Sequence, residues 1–335
     1  MNAAVETIAE VPRDRFSRPL IIPPHGGKPI PYTRCTTYVG ALEDTYNLGQ
    51  WQMRMVAAGV AATPGLPSRL AALGLEPASD PEKKAWKDSI TPLIEEAMET
   101  AKAKDKARRG TEFHQITENF ERTGDLTDVP DEWAPNLDAF IEATKGLKSM
   151  AIEQFLVNDE HQVGGTADRV YQIAGVDGYV IGDLKTGNTS YGIGKIAMQL
   201  CMYAHSQMYD LATGVRTPIP GLRTDFGIVM DHDIPSATCR LIEVDLRPAW
   251  DAIQVAKQVR AWRSFAKPKN LVKPWIAPQI DAIAASLDVA IAQASSREDL
   301  SRLWSEAAAA GTWTPTHTAA AHQRLAALES ATPAA

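Results

Sequence analysis

Hydrophobic residues in the first part of the chain recur at helical spacing, which predicts a series of helices. The predicted helices cover residues 36–61, 82–109, 111–122 and 131–147. Trp51, Met55 and Val56 lie at helical spacing and are predicted to be core residues. Pro92 is expected to interrupt the second helix, because proline lacks the N–H that a helix interior needs.

Shorter apolar runs follow and predict β-strands. They cover residues 151–158, 163–173 and 178–186 and, after a predicted helix over 193–211, the segments RTDFGIVMD and CRLIEVDL. This order predicts an α/β protein of the mixed α+β type, with a mixed central sheet flanked by helices and an N-terminal helical elaboration.

The two ends of the chain are predicted to lie outside the main domain. Residues 1–30 contain five prolines and a Gly-Gly pair, which predict a flexible leader. The main domain is predicted over 31–266. The Pro-rich segment KPKNLVKPWIAP then precedes a small C-terminal helical module at 279–335.

Local signals define the helices of the C-terminal module. Ser295 with Glu298 predicts a capping box, and Thr314 before Pro315 predicts an N-cap. The module's packing anchors are predicted to be two aromatic residues, Trp304 and Trp313. Its role stays open between partner binding, oligomerisation and covering the main domain.

The composition is ordinary for a globular protein, with 335 residues, 44% hydrophobic and 22% charged. No run approaches the ~20 apolar residues of a membrane span, and the N-terminus lacks an apolar signal-peptide core. Three widely spaced cysteines, Cys35, Cys201 and Cys239, argue against a disulfide framework. We therefore expect a cytoplasmic protein with no membrane partner.

The segment GGTADRVYQIAGVDGYVIGDLKTG carries the most informative chemistry. Asp183 and Lys185 are two residues apart in a predicted strand, so they project to the same face. A hairpin closed near Gly175 and Gly178 would bring Asp168 alongside them. Two carboxylates beside one ammonium suit a hard divalent cation and a water directed at phosphate.

Further residues occur at characteristic positions around this segment. Upstream, RGTEFHQITE places His114 in a predicted helix, and downstream Gln199 and Tyr203 are four apart on one helical face. Four segments, GTEFH, GTAD, DLK and QLCMY, thus resemble in order the motifs GTxxH, GxxD, DxK and QxxxY of the RecB-like branch of the PD-(D/E)xK nucleases. The resemblance covers roughly residues 30 to 250.

The resemblance implies a restriction-endonuclease-like core: a helix, three antiparallel strands, a helix and a strand. It also implies a site that binds Mg²⁺ or Mn²⁺. The implied ligands are His114, Asp168, Asp183 and the backbone carbonyl of Leu184, with Glu153 as a further ligand or a neighbour of the ligands. A nitrogen ligand shifts the metal preference toward Mn²⁺.

The resemblance also implies roles for three residues that are not metal ligands. Lys185 would orient the attacking water and stabilise charge near the phosphate, staying protonated beside two carboxylates. Gln199 and Tyr203 would lie against the site and contact substrate or Lys185. Taken singly, each residue also has a simpler interpretation: an exposed Asp183–Lys185 pair, a turn pair between Asp168 and Arg169, or ordinary helix surface.

A basic run precedes the GTEFH segment. It consists of Lys102, Lys104, Lys106, Arg108 and Arg109. Two interpretations stay open: a solvated face at a helix C-terminus, where cations favour the helix dipole, or a surface that contacts DNA phosphates. The net charge of −7 argues for caution about nucleic acid, although a bound cation would reverse the local field of the carboxylates.

Three other patterns are weaker. YGIGK resembles the end of a P-loop, but Ile196 replaces the Ser or Thr that should follow Lys195. Asp231, His232 and Asp233 could ligate a metal, but a polar turn between strands is the simpler interpretation. Many RecB-like nucleases hold an iron–sulfur cluster with four cysteines, and three scattered cysteines cannot, so no cluster is expected.

The resemblance implies a DNA exonuclease that acts in recombination, repair or phage DNA processing, in a bacterial host cytoplasm if phage-encoded. A single-strand annealing or recombination protein is an implied partner, and an oligomer stays open. Two alternatives remain: a structure-specific endonuclease of the same fold, and a non-catalytic DNA-binding or assembly protein.

Overall fold

The computed structural model describes residues 11–187, 189–273 and 280–330, and the chain divides into two compact units, Met1–Phe265 and Ala266–Ala335. The predicted mixed α/β class is confirmed: within the described residues, the first unit contains a mixed sheet of eight strands flanked by helices. No helix among these residues is long and apolar enough to span a bilayer.

The strands of the first unit belong to a large sheet and a small separate pair. They are β1 (Leu20–Ile21), β2 (Ile30–Pro31), β3 (Thr33–Arg34), β4 (Leu147–Asn158), β5 (Val163–Ile173), β6 (Val180–Lys185), β7 (Gln207–Tyr209), β8 (Arg216–Thr217), β9 (Phe226–Asp233) and β10 (Thr238–Asp245). The large sheet has the order β10-β9-β6-β5-β4-β7-β8, with β3 beside β5, and β1 pairs with β2. Strands β4, β5 and β6 form an antiparallel meander, and β9 runs parallel to β6.

The helices of the first unit lie before, between and after the strands. They are α1 (Cys35–Val39), α2 (Tyr46–Ala62), α3 (Leu66–Leu73), α4 (Asp80–Thr100), α5 (Asp105–Thr123), α6 (Ala134–Thr144), α7 (Ile193–Ala204) and α8 (Arg247–Phe265). Apart from the short strands β7 and β8, the order α5 or α6, three antiparallel strands, α7 and β9 is the order that the resemblance implies for the core.

Two apolar clusters cover the two faces of the large sheet. On one face, α7 and α8 contribute Leu200 and Ile253, which pack with Ile181 of β6. On the other face, Phe113 and the α6 residues pack against Leu184 of β6. Because side chains alternate along β6, Asp183 and Lys185 share the Ile181 side, which faces α7.

The structure differs from several predictions in the N-terminal part. Residues 1–10 of the predicted leader lie outside the described residues, but β1 pairs with β2 and Ile21 is fully buried, so a flexible leader to residue 30 is wrong. Trp51 is 37% exposed and is not a core residue. Helix α4 continues through Pro92, because the carbonyl freed four residues earlier is on the exposed side of the helix.

The second unit contains four helices among its described residues: α9 (Pro268–Leu271), α10 (Ile280–Gln293), α11 (Arg297–Ala309) and α12 (Pro315–Ser330). The predicted cap of α11 is wrong by one residue, because Ser296 Oγ accepts from Asp299 N at 3.0 Å. Thr314 caps α12 as predicted, accepting from His317 N at 3.4 Å. Trp304 is 54% exposed, so it is not a packing anchor, whereas Trp313 packs against the core of this unit.

Candidate active site

The β5–β6 hairpin brings Asp168 and Asp183 together at one end of the sheet. Arg169 is paired with Gly182 in this antiparallel hairpin, so Asp168, the residue before Arg169, lies opposite Asp183. The connecting loop turns through Gly175 and Gly178, both with positive φ. The backbone N–H of Leu184 donates to Asp168 Oδ2 at 3.1 Å, which fixes the carboxylate beside β6.

Asp183 is the most buried member of the site, with 2% of its surface exposed. Its Oδ1 accepts a hydrogen bond from Gln199 Nε2 at 3.3 Å, and its Oδ2 forms an ion pair with Lys185 Nζ. Burial and the neighbouring charge of Asp168 raise the pKa of Asp183 to about 7, while Lys185 opposes the shift. A positive charge held here therefore stabilises the carboxylate form.

His114 approaches the same carboxylate from helix α5. Its Nδ1 lies 3.5 Å from Asp168 Oδ2, and its side chain is largely buried. Burial lowers the pKa of His114, although the Asp168 charge and a hydrogen bond to the Leu184 backbone oppose the shift. The imidazole is therefore neutral near pH 7 and can offer a nitrogen lone pair to a cation.

Helix α7 carries Gln199 and Tyr203, which make different contacts: Gln199 with Asp183, and Tyr203 with Cys35. Gln199 reaches the site through its contact with Asp183. Tyr203 is 4% exposed and hydrogen-bonded to Cys35, and burial raises its pKa well above the usual value. The expected contact of Tyr203 with substrate or Lys185 stays a prediction; in this structure the phenol is buried against Cys35.

Glu153 lies beside this group but pairs with another residue, Glu118. It occupies a left-handed backbone conformation (φ 54°) within β4, between Ile152, which pairs with Arg169, and Gln154. Its carboxyl is hydrogen-bonded to that of Glu118, and burial, Glu118 and Asp168 raise the pKa of Glu153 to about 7. The same burial raises the pKa of Glu118, although its hydrogen bond with Glu153 opposes that shift.

Glu118 and Glu121 on α5 are not among the site residues predicted from the sequence. Glu118 comes four residues after His114 and so lies on the same helical face, which was the available signal. Glu121 forms an ion pair with the fully buried Arg169, whose Nη2 also donates to Thr117 Oγ1 at 3.2 Å. The alternative of a turn pair between Asp168 and Arg169 is therefore wrong: the guanidinium is directed at α5.

The basic run spans the junction between two helices, so the helix C-terminus that one interpretation assumed holds for its first lysine, Lys102, and not for the residues of α5. Helix α4 ends at Thr100 and α5 begins at Asp105, so Lys102 and Lys104 precede α5 while Lys106, Arg108 and Arg109 lie in its first turns. Arg108 is engaged by Glu99 and Asp105. Lys106 and Arg109 line a cavity next to the site.

The weaker patterns have structural explanations. Asp231, His232 and Asp233 belong to β9 and not to a turn, and the His232 Nε2 hydrogen-bonds Asn136 Oδ1 at 2.8 Å. Burial lowers the pKa of His232 to about 4, so it is a neutral core residue stacked on Phe113. Lys195 of the YGIGK segment forms a 2.8 Å ion pair with Glu43. The three cysteines are free thiols.

The donor set of His114, Asp168, Asp183 and the Leu184 carbonyl fits a hard or borderline divalent cation by type. Among the residues that the structure describes, no group of three or more His, Cys, Asp or Glu side chains is arranged to hold a metal ion. In this arrangement Lys185 Nζ forms an ion pair with Asp183 Oδ2, and His114 Nδ1 lies 3.5 Å from Asp168 Oδ2. A cation would have to displace the Lys185 ammonium from Asp183.

Comparison with known proteins found no family model that matches this chain and no curated protein that is significantly similar to it.

Proposed function

We propose that this protein is a metal-dependent DNA exonuclease that hydrolyses phosphodiester bonds at DNA ends in recombination, repair or phage DNA processing. The observation that carries the proposal is the convergence of His114, Asp168, Asp183 and Lys185 around the end of β6. The specificity for DNA and for ends comes from the resemblance to RecB-like nucleases.

A divalent Mg²⁺ or Mn²⁺ held by His114, Asp168, Asp183 and the Leu184 carbonyl would supply positive charge for the phosphate oxygens and an activated water. The protein's own residues then have separate tasks. Lys185, at the last position of β6, would donate to the attacking water and to the developing charge on the phosphate. Gln199 holds Asp183 in position through its amide.

Burial supports this assignment of roles. Asp183 is enclosed and Asp168 is fixed by a backbone N–H, so neither carboxylate must reorganise during the reaction. Lys185 is less buried, with 30% of its side chain exposed, and can reach an incoming strand. A cation at Asp183 would release Lys185 from its present ion pair, which is what the proposed role requires.

The direct test is degradation of end-labelled linear duplex and single-stranded DNA with Mg²⁺, with Mn²⁺ and with EDTA, beside covalently closed circles. We expect loss of the end label from linear DNA only with metal, and intact circles. Cleavage of circles at the same rate would favour the structure-specific endonuclease. No cleavage with either metal, together with measurable DNA binding, would favour the non-catalytic DNA-binding or assembly protein.

A further inference from the structure

A cavity of about 410 Å³ lies next to the candidate active site, at the carboxyl ends of β6 and β9. Its wall includes Thr186 and Gly187, which directly follow Lys185, and Asp231, the partner of Lys185 in the parallel pairing of these strands. The Cα atoms of Thr186 and Gly187 therefore lie within about 4 to 8 Å of the Lys185 Cα.

The charged side chains of the cavity carry a positive surplus. Three basic residues line it, Lys106, Arg109 and Arg240, against two carboxylates, Asp231 and Asp233. Arg240 is engaged by Asp231 at 2.7 Å. For Lys106 and Arg109, no carboxylate partner occurs among the described residues. In a chain of net charge −7, this local surplus is distinctive.

The position of Lys106 and Arg109 on α5 also favours an anion. They are three residues apart in the first turns of the helix, on one face, near the positive end of the helix dipole, which is unfavourable for a cation. A bound anion reduces that repulsion. The Arg109 guanidinium lies 5.0 Å above the ring of the buried Trp133, which restricts its orientation before any ligand binds.

We infer that this cavity binds a phosphate of the nucleic-acid strand adjacent to the phosphate that is cut, with Lys106 and Arg109 as its ligands. The inference rests on the proposed function and assigns two members of the basic run to the strand. Arg108, which lies between them in sequence, forms ion pairs with Glu99 and Asp105 and does not bind the phosphate.

The test compares Lys106→Gln/Arg109→Gln with Arg108→Gln, a matched control in the same helix turn. Binding of a fluorescein-labelled single-stranded oligonucleotide is followed by anisotropy in EDTA, over a range of KCl concentrations, with the oligonucleotide checked for integrity. The double variant should bind about tenfold more weakly, since charge-assisted hydrogen bonds to the phosphate are removed. Its slope of log K against log salt should fall by about 0.7 for each phosphate that the variant no longer neutralises. The control should match the wild type.

Repeating the titration with and without a terminal phosphate on the oligonucleotide separates two sources of the same chemistry. If the double variant loses the same affinity for both oligonucleotides, the cavity binds an internal phosphate. If the loss is confined to the phosphorylated oligonucleotide, the cavity binds the terminal phosphate. Either outcome supports the phosphate site. A double variant with the affinity and slope of the wild type would overturn it. So would an equal decrease in Arg108→Gln. Absence of cleavage by the wild type would overturn the proposed function and leave this binding result to be judged separately.

Discussion

Gly165 of β5 lies directly against the hydroxyl of Tyr203 on α7: a Cβ at position 165 would be 2.7 Å from that oxygen and 3.0 Å from Cys35 Cβ. The contact joins two of the four motif segments, GTAD and QLCMY. It explains why the first of them begins with glycine, because the buried tyrosine occupies the space that any side chain would need. The same contact brings α7 close enough for Gln199 to reach Asp183.

Gly165→Ala should therefore destabilise the protein by about 1–3 kcal/mol, since the surrounding side chains are buried and cannot move freely. Urea denaturation followed by tryptophan fluorescence measures the change. Gly49→Ala is the control: Gly49 lies in α2 with open space around it, and alanine there should be neutral or stabilising by about 0.5–1 kcal/mol. Equal stability of the Gly165→Ala variant and the wild type would refute the packing argument.

Lys185→Ala should lower the rate of DNA cleavage by about 10²–10³-fold, as expected for the loss of one group that stabilises transition-state charge. DNA binding should change little, because the variant keeps Lys106 and Arg109, the proposed strand contacts in the adjacent cavity. The comparison is Lys195→Ala, which removes a lysine of similar exposure from a surface pair with Glu43. A Lys185→Ala variant that cleaves at the rate of the Lys195→Ala variant would exclude the role given to Lys185.

The buried ion pair of Arg169 and Glu121 should be among the most sensitive positions in the fold. Arg169→Met leaves Glu121 buried without its cation, so the free energy of unfolding should fall by about 3–5 kcal/mol. Arg247→Ala breaks an exposed pair with Asp245 and should leave the free energy of unfolding almost unchanged, because solvent screens that pair. Chemical denaturation of both variants gives the comparison, and decreases of similar size would show that the Arg169 pair is not buried in solution.

The pKa of Asp183 predicts that the free energies of unfolding of the wild type and of Asp183→Asn differ by an amount that depends on pH in the absence of metal. Its folded-state pKa of about 7 exceeds the ordinary value of 3.8, so between these limits the folded state binds more protons than the unfolded state. The contribution of Asp183 to stability is complete below about pH 4 and is lost as the pH rises through 7, by up to about 1.4 kcal/mol per unit.

The unfolding free energy of the wild type should therefore fall relative to Asp183→Asn between pH 4 and pH 7. Denaturation of both proteins in EDTA at several pH values measures this difference, in which the opposing effects of other groups such as His232 cancel. A difference that is constant with pH would contradict the burial of a titrating carboxylate at this position.

The sequence predicts those features that depend on local periodicity and strand geometry. The β4–β5–β6 meander, and the shared face of Asp183 and Lys185, follow from alternation along the strands and a glycine-containing turn. The position of His114 beside Asp168 is predicted only through the resemblance, because no spacing rule relates a helix residue to a strand residue more than 50 positions away.

The sequence does not predict the features that depend on tertiary packing. Helical spacing places Trp51 in a core, but α2 contacts its neighbour α4 through Gly59, whose missing side chain lets the two backbones approach. The pairing of Glu118 with Glu153 depends on a left-handed residue inside a strand, for which the sequence carries no glycine signal. Helix α7 ends at Ala204 and not at 211, because β7 extends the sheet beside β4.

The central claim is that an imidazole, two carboxylates and an ammonium surround one divalent cation at the end of β6. An anomalous difference map from a crystal of the wild type grown with Mn²⁺ tests it most directly. We predict a peak bounded by His114, Asp168 and Asp183, with the Lys185 ammonium displaced from Asp183. A map at saturating Mn²⁺ with no peak among these side chains, and with the Lys185–Asp183 ion pair intact, would contradict it.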